Sequence, residues 1–503
     1  MIKVLSANQC REIDKKAIND IGIPEIVLME NAASEVCKKI RCKGKSFLIL
    51  CGKGNNGGDG LALARKLLLQ ERKVKIYIIS NDNKYTESFT CNLNILLNIL
   101  GEENIAFING EGDINCEFKN DLQNFDVIVD AIFGVGLNKN INGFFEKVIE
   151  NVNEYGKFIA SIDVPSGLNC DTGNVMGVSV RAHETYTFEA IKQGFLNYKA
   201  FEYIGKIELL KIGIPNNIKD GLGKIVNILE EREYKNLLPE RKVYGHKGDY
   251  GRAIVVAGSR GFTGAAFIST ECTVRAGAGL TTLICQSKEV QQVLENKLIE
   301  AMTITIDDEK VWDIIKNADA IAVGPGIGVG INQYSMLKKI IRMSTCPIII
   351  DADGITILAN NKDLLSGLKG RCIITPHLGE MARFVNKKIS EVEYNRIKIA
   401  EKVANEYQIV VLLKGYNTII TDGKQTYVNS TGNSKMASGG MGDALTGIIN
   451  AFVSQGVELI DSALISAYLH GKIADDLCEK NYIINARDII RNLPEKINEI
   501  VNN

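Results

Sequence analysis

The sequence predicts an α/β protein of two unequal domains, each built on a parallel sheet. Three observations lead there. Short apolar runs rich in β-branched residues alternate with helical segments along most of the chain. The alternation lapses once, in the polar stretch NNIKDGLGKIVNILEEREYKNLLPERK (216–242). Glycine-rich polar motifs stand directly after the apolar runs, where open α/β sheets bind their ligands. The length of 503 residues fits this division, since a domain takes roughly 100–200 residues.

Taken in order, Ser6 and Gln9 form an S-x-x-Q capping box opening a helix that runs to about Asp20. PEIVLMENAASEVCKKI (24–40) is a second helix with proline at an early position, as helices tolerate. SFLIL (46–50), KVKIYII (73–79), DVIVDAI (126–132) and KFIASIDV (157–164) are strands of a Rossmann-like, doubly wound parallel sheet. KIELLKIGIP (206–215) closes this first domain, 1–215. Residues 216–234 are the connection, and 235–503 form the second domain. Its strands are GRAIVVAGS (251–259), GLTTLIC (279–285), DAIAVGPG (319–326), PIIIDADG (347–354), CIITP (372–376) and IVVLLKG (409–415). No short-period repeat is present.

Composition narrows the function classes. Hydrophobic content of 45% and charged content of 24% are ordinary for a globular protein. A formal net charge of -1 argues against a nucleic-acid or membrane-surface binder, which needs a basic excess. The 12 cysteines are scattered with no C-x-x-C pair, so reduced core thiols are expected. No apolar run approaches the ~18 residues of a spanning helix, and the N-terminus carries no apolar signal core. The expected setting is the cytoplasm, with small-molecule partners and a homo-oligomeric assembly.

CGKGNNGGDG (51–60) contains a G-x-G-x-x-G between a strand and a helix. Glycine lets a backbone approach an anion closely. A hydride-transferring dehydrogenase would want an acid about 20 residues later, and Asp82 stands somewhat late. The only histidine of the first domain is His183, so a plain Rossmann reading is weak. Asn55, Asn56 and Asp59 add polarity that such a loop lacks. Asp130 closes the third strand before FGVGLNKNING (133–143), and Asp163 to Gly167 follow the fourth.

MENAA (29–33), GNNGGDG (54–60), VDAIFGVGL (129–137) and SIDVPSGLNCDTG (161–173) together resemble the NAD(P)H-hydrate epimerase family over about residues 1–215. That family acts on NADHX and NADPHX, reduced cofactors with water added to the dihydronicotinamide ring. The resemblance implies that Asn55, Asn56, Gly57, Gly58 and Asp59 hold the hydrated dinucleotide. It implies the same for Gly134, Val135, Gly136, Leu137, Asn138, Lys139 and Asn140. Asn56, Asp130 and Ser166 would surround a potassium ion, and their oxygens are hard donors suited to a hard cation. Asp163 is the choice for the acid–base residue, placed to shuttle a proton while the hydrated carbon reversibly loses its hydroxyl or the ring nitrogen.

In the second domain, NSTGNSKMASGGMGDALTGIINAF (429–452) sets glycines before an apolar helix starting near Asp443. Free N–H groups at such a helix start bind phosphate or a developing oxyanion. No G-K-[ST] closes a Walker loop. The G-x-G-D turn resembles the ribokinase-like superfamily, an α/β sandwich in which the Asp is the general base. GSRGFTGAAFISTECTVRAGAGL (258–280), GPGIG (324–328), DADGI (351–355), TPHLGEMARF (375–384) and LKGYNTII (413–420) extend the likeness to the NAD(P)H-hydrate dehydratase branch, over about 235–503.

That branch dehydrates S-NAD(P)HX with ADP or ATP. The resemblance implies nucleotide contacts from Lys414, Gly415, Tyr416, Asn417 and Thr418. It implies further contacts from Asn433, Ser434, Lys435, Met436, Ala437, Ser438, Gly439, Gly440, Met441 and Gly442. Gly326, His377 with Leu378, Gly379 and Glu380, and Asp443 would face the hydrated nicotinamide. Magnesium is expected with the phosphates, with Glu380 a ligand through water. Ser434-Lys435 and Met441 stand where many relatives carry proline, glycine and threonine. The alternative reading is a ribokinase-like small-molecule kinase with an appended dinucleotide-binding module; TPHLGE and NNGGDG speak against it. A third is that the first domain is only a binding scaffold.

Overall fold

Alternation along the first apolar run shows how the N-terminal sheet is buried. Phe47, Ile49 and Cys51 belong to one core, and Leu48 and Leu50 to another on the opposite face. Side chains of a strand alternate faces, so a sheet covered on both sides needs apolar residues at every position. The computed structural model describes residues 1–82, 84–101 and 104–502. It divides into two compact units, Ile2–Ile225 and Val226–Asn503.

The N-terminal unit carries a seven-stranded, wholly parallel sheet. Its order is Ile105–Ile108, Lys73–Ile79, Ser46–Cys51, Val127–Ala131, Ile159–Ile162, Glu184–Phe188, Lys206–Leu210. The order reverses between Ser46–Cys51 and Val127–Ala131, so their loops diverge and leave a crevice at their carboxyl ends. The capping box at Ser6 forms as expected and opens helix Ala7–Asn19. Helix Glu25–Ile40 starts after Pro24. Strands Ile105–Ile108 and Glu184–Phe188 are additions to the sequence reading. Ile105–Ile108 is only four residues long and Glu184–Phe188 is interrupted by polar residues, so their signal is faint.

The C-terminal unit repeats the plan. Strands Met302–Thr305, Leu280–Cys285, Arg252–Val256, Ala320–Val323, Ile348–Ile350, Cys372–Ile374 and Val410–Leu413 run parallel in that order. Here the switch lies between Arg252–Val256 and Ala320–Val323. Beyond Val410–Leu413 the sheet continues with Thr418–Thr421, antiparallel, and Thr426–Asn429. The sequence reading missed this hairpin because its strands are threonine-rich and short. Helix Met441–Ser454 is buried from Ala444 to Ser454 on every face. A helix apolar all round belongs in the middle of a core, and it packs on Ala320, Ala322, Ile349, Ile373 and Leu412.

The stretch 216–234, expected as connection, is structured. Helix Asn216–Asp220 belongs to the N-terminal unit, where Lys219 is buried in an ion pair with Glu189. Strand Val226–Ile228 belongs to the C-terminal unit and pairs with Thr426–Asn429. Its charged flanks hid that order. Among the described residues, no helix is long and apolar enough to cross a membrane.

One glycine carries much of the first turn. A Cβ on Gly57 would lie 1.8 Å from the carbonyl oxygen of Gly52. The backbone has no flexible side chain to move aside there. Gly57→Ala is expected to destabilise the N-terminal unit by about 3 kcal/mol, seen as an earlier unfolding transition in a urea titration.

Candidate active sites

The N-terminal crevice opens into a cavity of about 730 Å³, within the size range of small-molecule sites, about 300–1,000 Å³. Asn55, Asn56, Asp59, Gly134 to Asn140, and Asp163 line it. The sequence reading named all of them. Gly57 and Gly58, also expected to touch the dinucleotide, are buried behind the wall and do not line it. Their role is to let helix Asn55–Leu68 sit close: a Cβ on Gly58 would come within 2.5 Å of Met29 Cε.

That helix starts at Gly54 with no side-chain cap, leaving its first N–H groups for an anion. Arg11, Lys53 and Lys139 supply positive charge on the lining. The Asn55 amide donates to Glu25 Oε1 at 2.6 Å, and Glu25 Oε2 accepts from Ser88 at 2.8 Å. Both polar atoms of the Asn56 side chain are buried without a partner. Asp82 accepts from Lys53 at 2.7 Å and lies off the cavity, so the ribose-binding acid of a dehydrogenase has no counterpart there. His183 accepts from Ile159 N–H, at the far end of the sheet.

Asp130 is fully buried at the end of Val127–Ala131. Ser161 Oγ and Ser166 N–H donate to its Oδ2, both at 2.8 Å, and Ser166 Oγ donates to its Oδ1 at 2.5 Å. Burial raises its carboxyl above the ordinary range, against those hydrogen bonds. Among the described residues it forms no ion pair. The Asn56 amide oxygen, the Asp130 carboxylate and the Ser166 hydroxyl are all oxygen donors. That set fits a hard monovalent cation.

Asp163 follows Ile159–Ile162 with φ at 65°, in the left-handed region that non-glycine residues seldom adopt. Its Oδ1 lies 2.8 Å from the Lys192 ammonium. Asp14 and Lys192 line the same cavity. Neither was singled out from the sequence, since one lies in the first helix and the other in the unremarkable run FEAIKQGFL. Desolvation in the cavity wall, then Asp163, pushes Asp14 up to about 6, with Lys192 pulling the other way. Burial, then Asp163, Asp14 and Glu25, pushes Asp59 well above its usual range.

In the C-terminal unit, helix Met441–Ser454 begins at Gly440, whose φ is 89°, again with no side-chain cap. The start lies at Met441, just before the expected Asp443. Its open N–H groups join the Gly442 turn. Beneath that turn lies Lys414, whose ammonium would be 3.2 Å from a Gly442 Cβ. Lys414 donates to Asp351 Oδ1 at 2.8 Å, and Thr446 donates to Asp351 Oδ2 at 2.8 Å. Asp351 belongs to DADGI; its position after a strand was the available signal, and no role was drawn from it. Burial, then Asp351, push Asp443 up to about 6, with Lys414 opposing and Asp353 adding.

His377 serves as the N-cap of helix Leu378–Val385. Its Nδ1 accepts from Gly379 N–H at 3.0 Å, and Glu380 Oε2 accepts from His377 N–H at 2.8 Å. Gly326 has φ at 63°, and a Cβ on it would press on Phe262 at 2.7 Å. The segment Lys414 to Thr418 is held from behind: Arg396 donates to the carbonyls of Tyr416 and Asn417 at 2.5 and 3.1 Å. Asp475 accepts from Gly432 N–H at 2.9 Å and from the Asn433 amide at 2.8 Å. The Lys435 ammonium donates to the carbonyls of Cys478 and Asn481. It therefore braces the loop against the end of helix Leu459–Leu477. Arg396 and Asp475 were invisible to motif reading because they lie far away in sequence. Among the described residues, no group of three or more His, Cys, Asp or Glu side chains could hold a metal. A magnesium ion here would be held largely by phosphate and water, its usual habit.

Fold and site together define an α/β protein of two units, one with a cavity at its sheet's switch point and one with an uncapped helix start beside the Lys414–Asp351 pair. A family model described as NAD(P)H-hydrate dehydratase matches residues 253–495, and one described as YjeF-related protein N-terminus matches 25–194. A bifunctional NAD(P)H-hydrate repair enzyme of Moorella thermoacetica is 34% identical, over 99% of this chain and 98% of that protein. One of Escherichia coli is 30% identical, over 94% and 89%. A ribokinase-like superfamily protein of Enterococcus faecalis superposes with a TM-score of 0.52 at 28% identity, covering 55% of this chain and 97% of that one. The chain belongs to the bifunctional NAD(P)H-hydrate repair enzymes.

Proposed function

We propose that the N-terminal unit interconverts the R and S epimers of NADHX and NADPHX, and that the C-terminal unit dehydrates the S epimer with ADP or ATP. The observation that carries this reading is that one chain holds two such arrangements, one in each unit. One is a dinucleotide-sized cavity with a lysine-paired carboxylate. The other is an uncapped helix start beside a carboxyl that burial pushes up to about 6.

In the first site the uncapped helix start at Asn55, with Lys53 and Arg11, suits the diphosphate. The acid-lined end, Asp163 with Asp14 and Asp59, suits the uncharged hydrated ring, to which these groups can offer hydrogen bonds. Asp163 exchanges a proton with the ring hydroxyl or its leaving partner. Potassium held by Asn56, Asp130 and Ser166 would neutralise the buried Asp130 charge and fix the loops around it.

In the second site Asp443 takes the proton of the ring hydroxyl as its oxygen attacks the terminal phosphorus. The N–H groups of the Gly442 turn and the Lys414 ammonium receive the growing negative charge. ADP thereby leaves as AMP. The ring nitrogen lone pair then expels phosphate from the carbon, and a proton lost from the neighbouring ring carbon restores the dihydropyridine. Magnesium with the nucleotide would screen the phosphate charges. Reduced thiols, free throughout the described residues, agree with a cytoplasmic setting.

An R/S mixture of NADHX, given ADP or ATP and magnesium, tests both halves. Near-ultraviolet absorbance of the dihydronicotinamide should rise to the full amount. No rise with either nucleotide overturns the dehydratase half, and a plateau at the S fraction overturns the epimerase half.

A further inference from the structure

We propose that Lys192 is the positioning residue of the N-terminal site: its ammonium grips one oxygen of Asp163 and leaves the other turned to the cavity. The proposal rests on the reading of Asp163 as the acid–base group.

Lys192 closes the short strand Ile191–Lys192, paired with Val4 and Leu5. Its side chain is only 3% exposed. A buried ammonium needs partners for three N–H groups. Asp163 Oδ1 is at 2.8 Å, and the carbonyls of Phe188 and Ala190 accept at 3.1 and 3.5 Å. The lysine head is thus pinned on the backbone at the end of strand Glu184–Phe188, and it pins Asp163 in turn. Asp163 Oδ2 lies 3.5 Å from where a Cβ on Gly134 would stand, on the cavity wall. The left-handed backbone at Asp163 delivers its side chain to this spot.

Charge explains why a cation is needed. Asp14 and Cys10 face the pair from helix Ala7–Asn19, and Asp59 faces it from helix Asn55–Leu68. Glu25 adds to the field at Asp14 and Asp59 from helix Glu25–Ile40, and Cys170 and Asp171 stand on the loop after Asp163. Burial holds both thiols uncharged at neutral pH, Cys10 at about 11 and Cys170 higher. Glu189 is answered by Lys219, and Asp171 accepts from Ala7 N–H at 2.6 Å. Lys192 acts on both Asp14 and Asp163, and of the two it forms its ion pair with Asp163. Burial opposes charge on Lys192, but the Asp163 carboxylate outweighs it and holds the ammonium above its ordinary value. The same contact leaves Asp163 Oδ2 free to act as a base at the cavity wall.

The test follows R-to-S conversion directly, by chromatography of the epimers without nucleotide, using the full chain. Lys192→Met should lower kcat by about 100-fold with KM changed little. It should also move the acid limb of kcat to higher pH by about one unit or more, because a carboxylate losing a nearby cation binds protons more readily. Lys192→Arg should recover part of the rate and most of the limb. If Lys192→Met does not fold, as a melting curve would show, Lys192→Gln gives the same readout with a hydrogen-bonding side chain. A wild-type rate and limb in the neutral variants overturns the proposal. So does a fall in rate with the limb unmoved and no rescue by arginine, which is the signature of a structural lysine. A wild-type rate in Asp163→Asn is a separate failure, of the base reading itself.

Discussion

Asp443→Asn is expected to abolish recovery of the dihydronicotinamide from both epimers, by about 1,000-fold or more, while the R and S forms still exchange. Asparagine keeps the size and the helix position but cannot take the proton of the ring hydroxyl. The surroundings keep their shape, since the hydrogen bonds of the Lys414–Asp351 pair do not use this carboxylate. Nucleotide binding should therefore persist, measurable by calorimetry. The wild-type pH profile supplies a second check. Burial, then Asp351 and Asp353 against Lys414, push Asp443 up to about 6. A base works deprotonated, so dehydration should be flat above that value and fall about tenfold per pH unit below it. Asp351→Asn removes one negative neighbour and releases the lysine from it. Both changes favour the Asp443 carboxylate, so the limb should move to lower pH. A limb that stays put, or an Asp443→Asn enzyme that still dehydrates, separates Asp443 from the proton.

What the chain revealed before its structure was known follows from how sheets are built. Phe47 to Cys51 and Ile348 to Ile350 are unbroken apolar runs because both sheet faces are covered, and such runs are conspicuous. The motifs after them were legible for the same reason: ligands meet these folds at strand ends, so Asn55, Asp130, Asp163 and Asp443 announced themselves by place. Residues that hold those groups carry no such signal. Lys192, Arg396 and Asp475 come from distant segments, and only the tertiary fold brings them in. Nor does sequence reveal that Asp163 is left-handed, because that conformation is imposed by its surroundings. Where a motif residue had two possible duties, structure separated them. Gly57 and Gly58 let the helix approach, whereas Lys435 braces a loop with its ammonium on helix-end carbonyls.

Asp163→Asn is expected to let recovery run only to the S fraction of an R/S mixture, with the rate on that fraction unchanged. Asparagine is the informative replacement. Among residues with a Cβ it tolerates the left-handed backbone unusually well, so the φ of 65° adds little new strain. Its amide oxygen can still accept from Lys192. What disappears is the negative charge, and with it the capacity to accept a proton. The cost to stability is separable from the cost to catalysis. The Lys192 ammonium, 3% exposed, then stands in the interior with no opposing charge. Breaking a buried pair from one side destabilises by about 3–5 kcal/mol, whereas replacing both partners by apolar groups can be nearly neutral. Asp163→Asn should therefore unfold earlier in urea than the wild type, and Asp163→Asn with Lys192→Met should recover much of that loss. The double variant should remain unable to convert R to S. If it regained epimerisation along with stability, the single variant's defect would have been one of folding, and the proton would have to pass through another group lining the cavity, with Asp14 the next to examine.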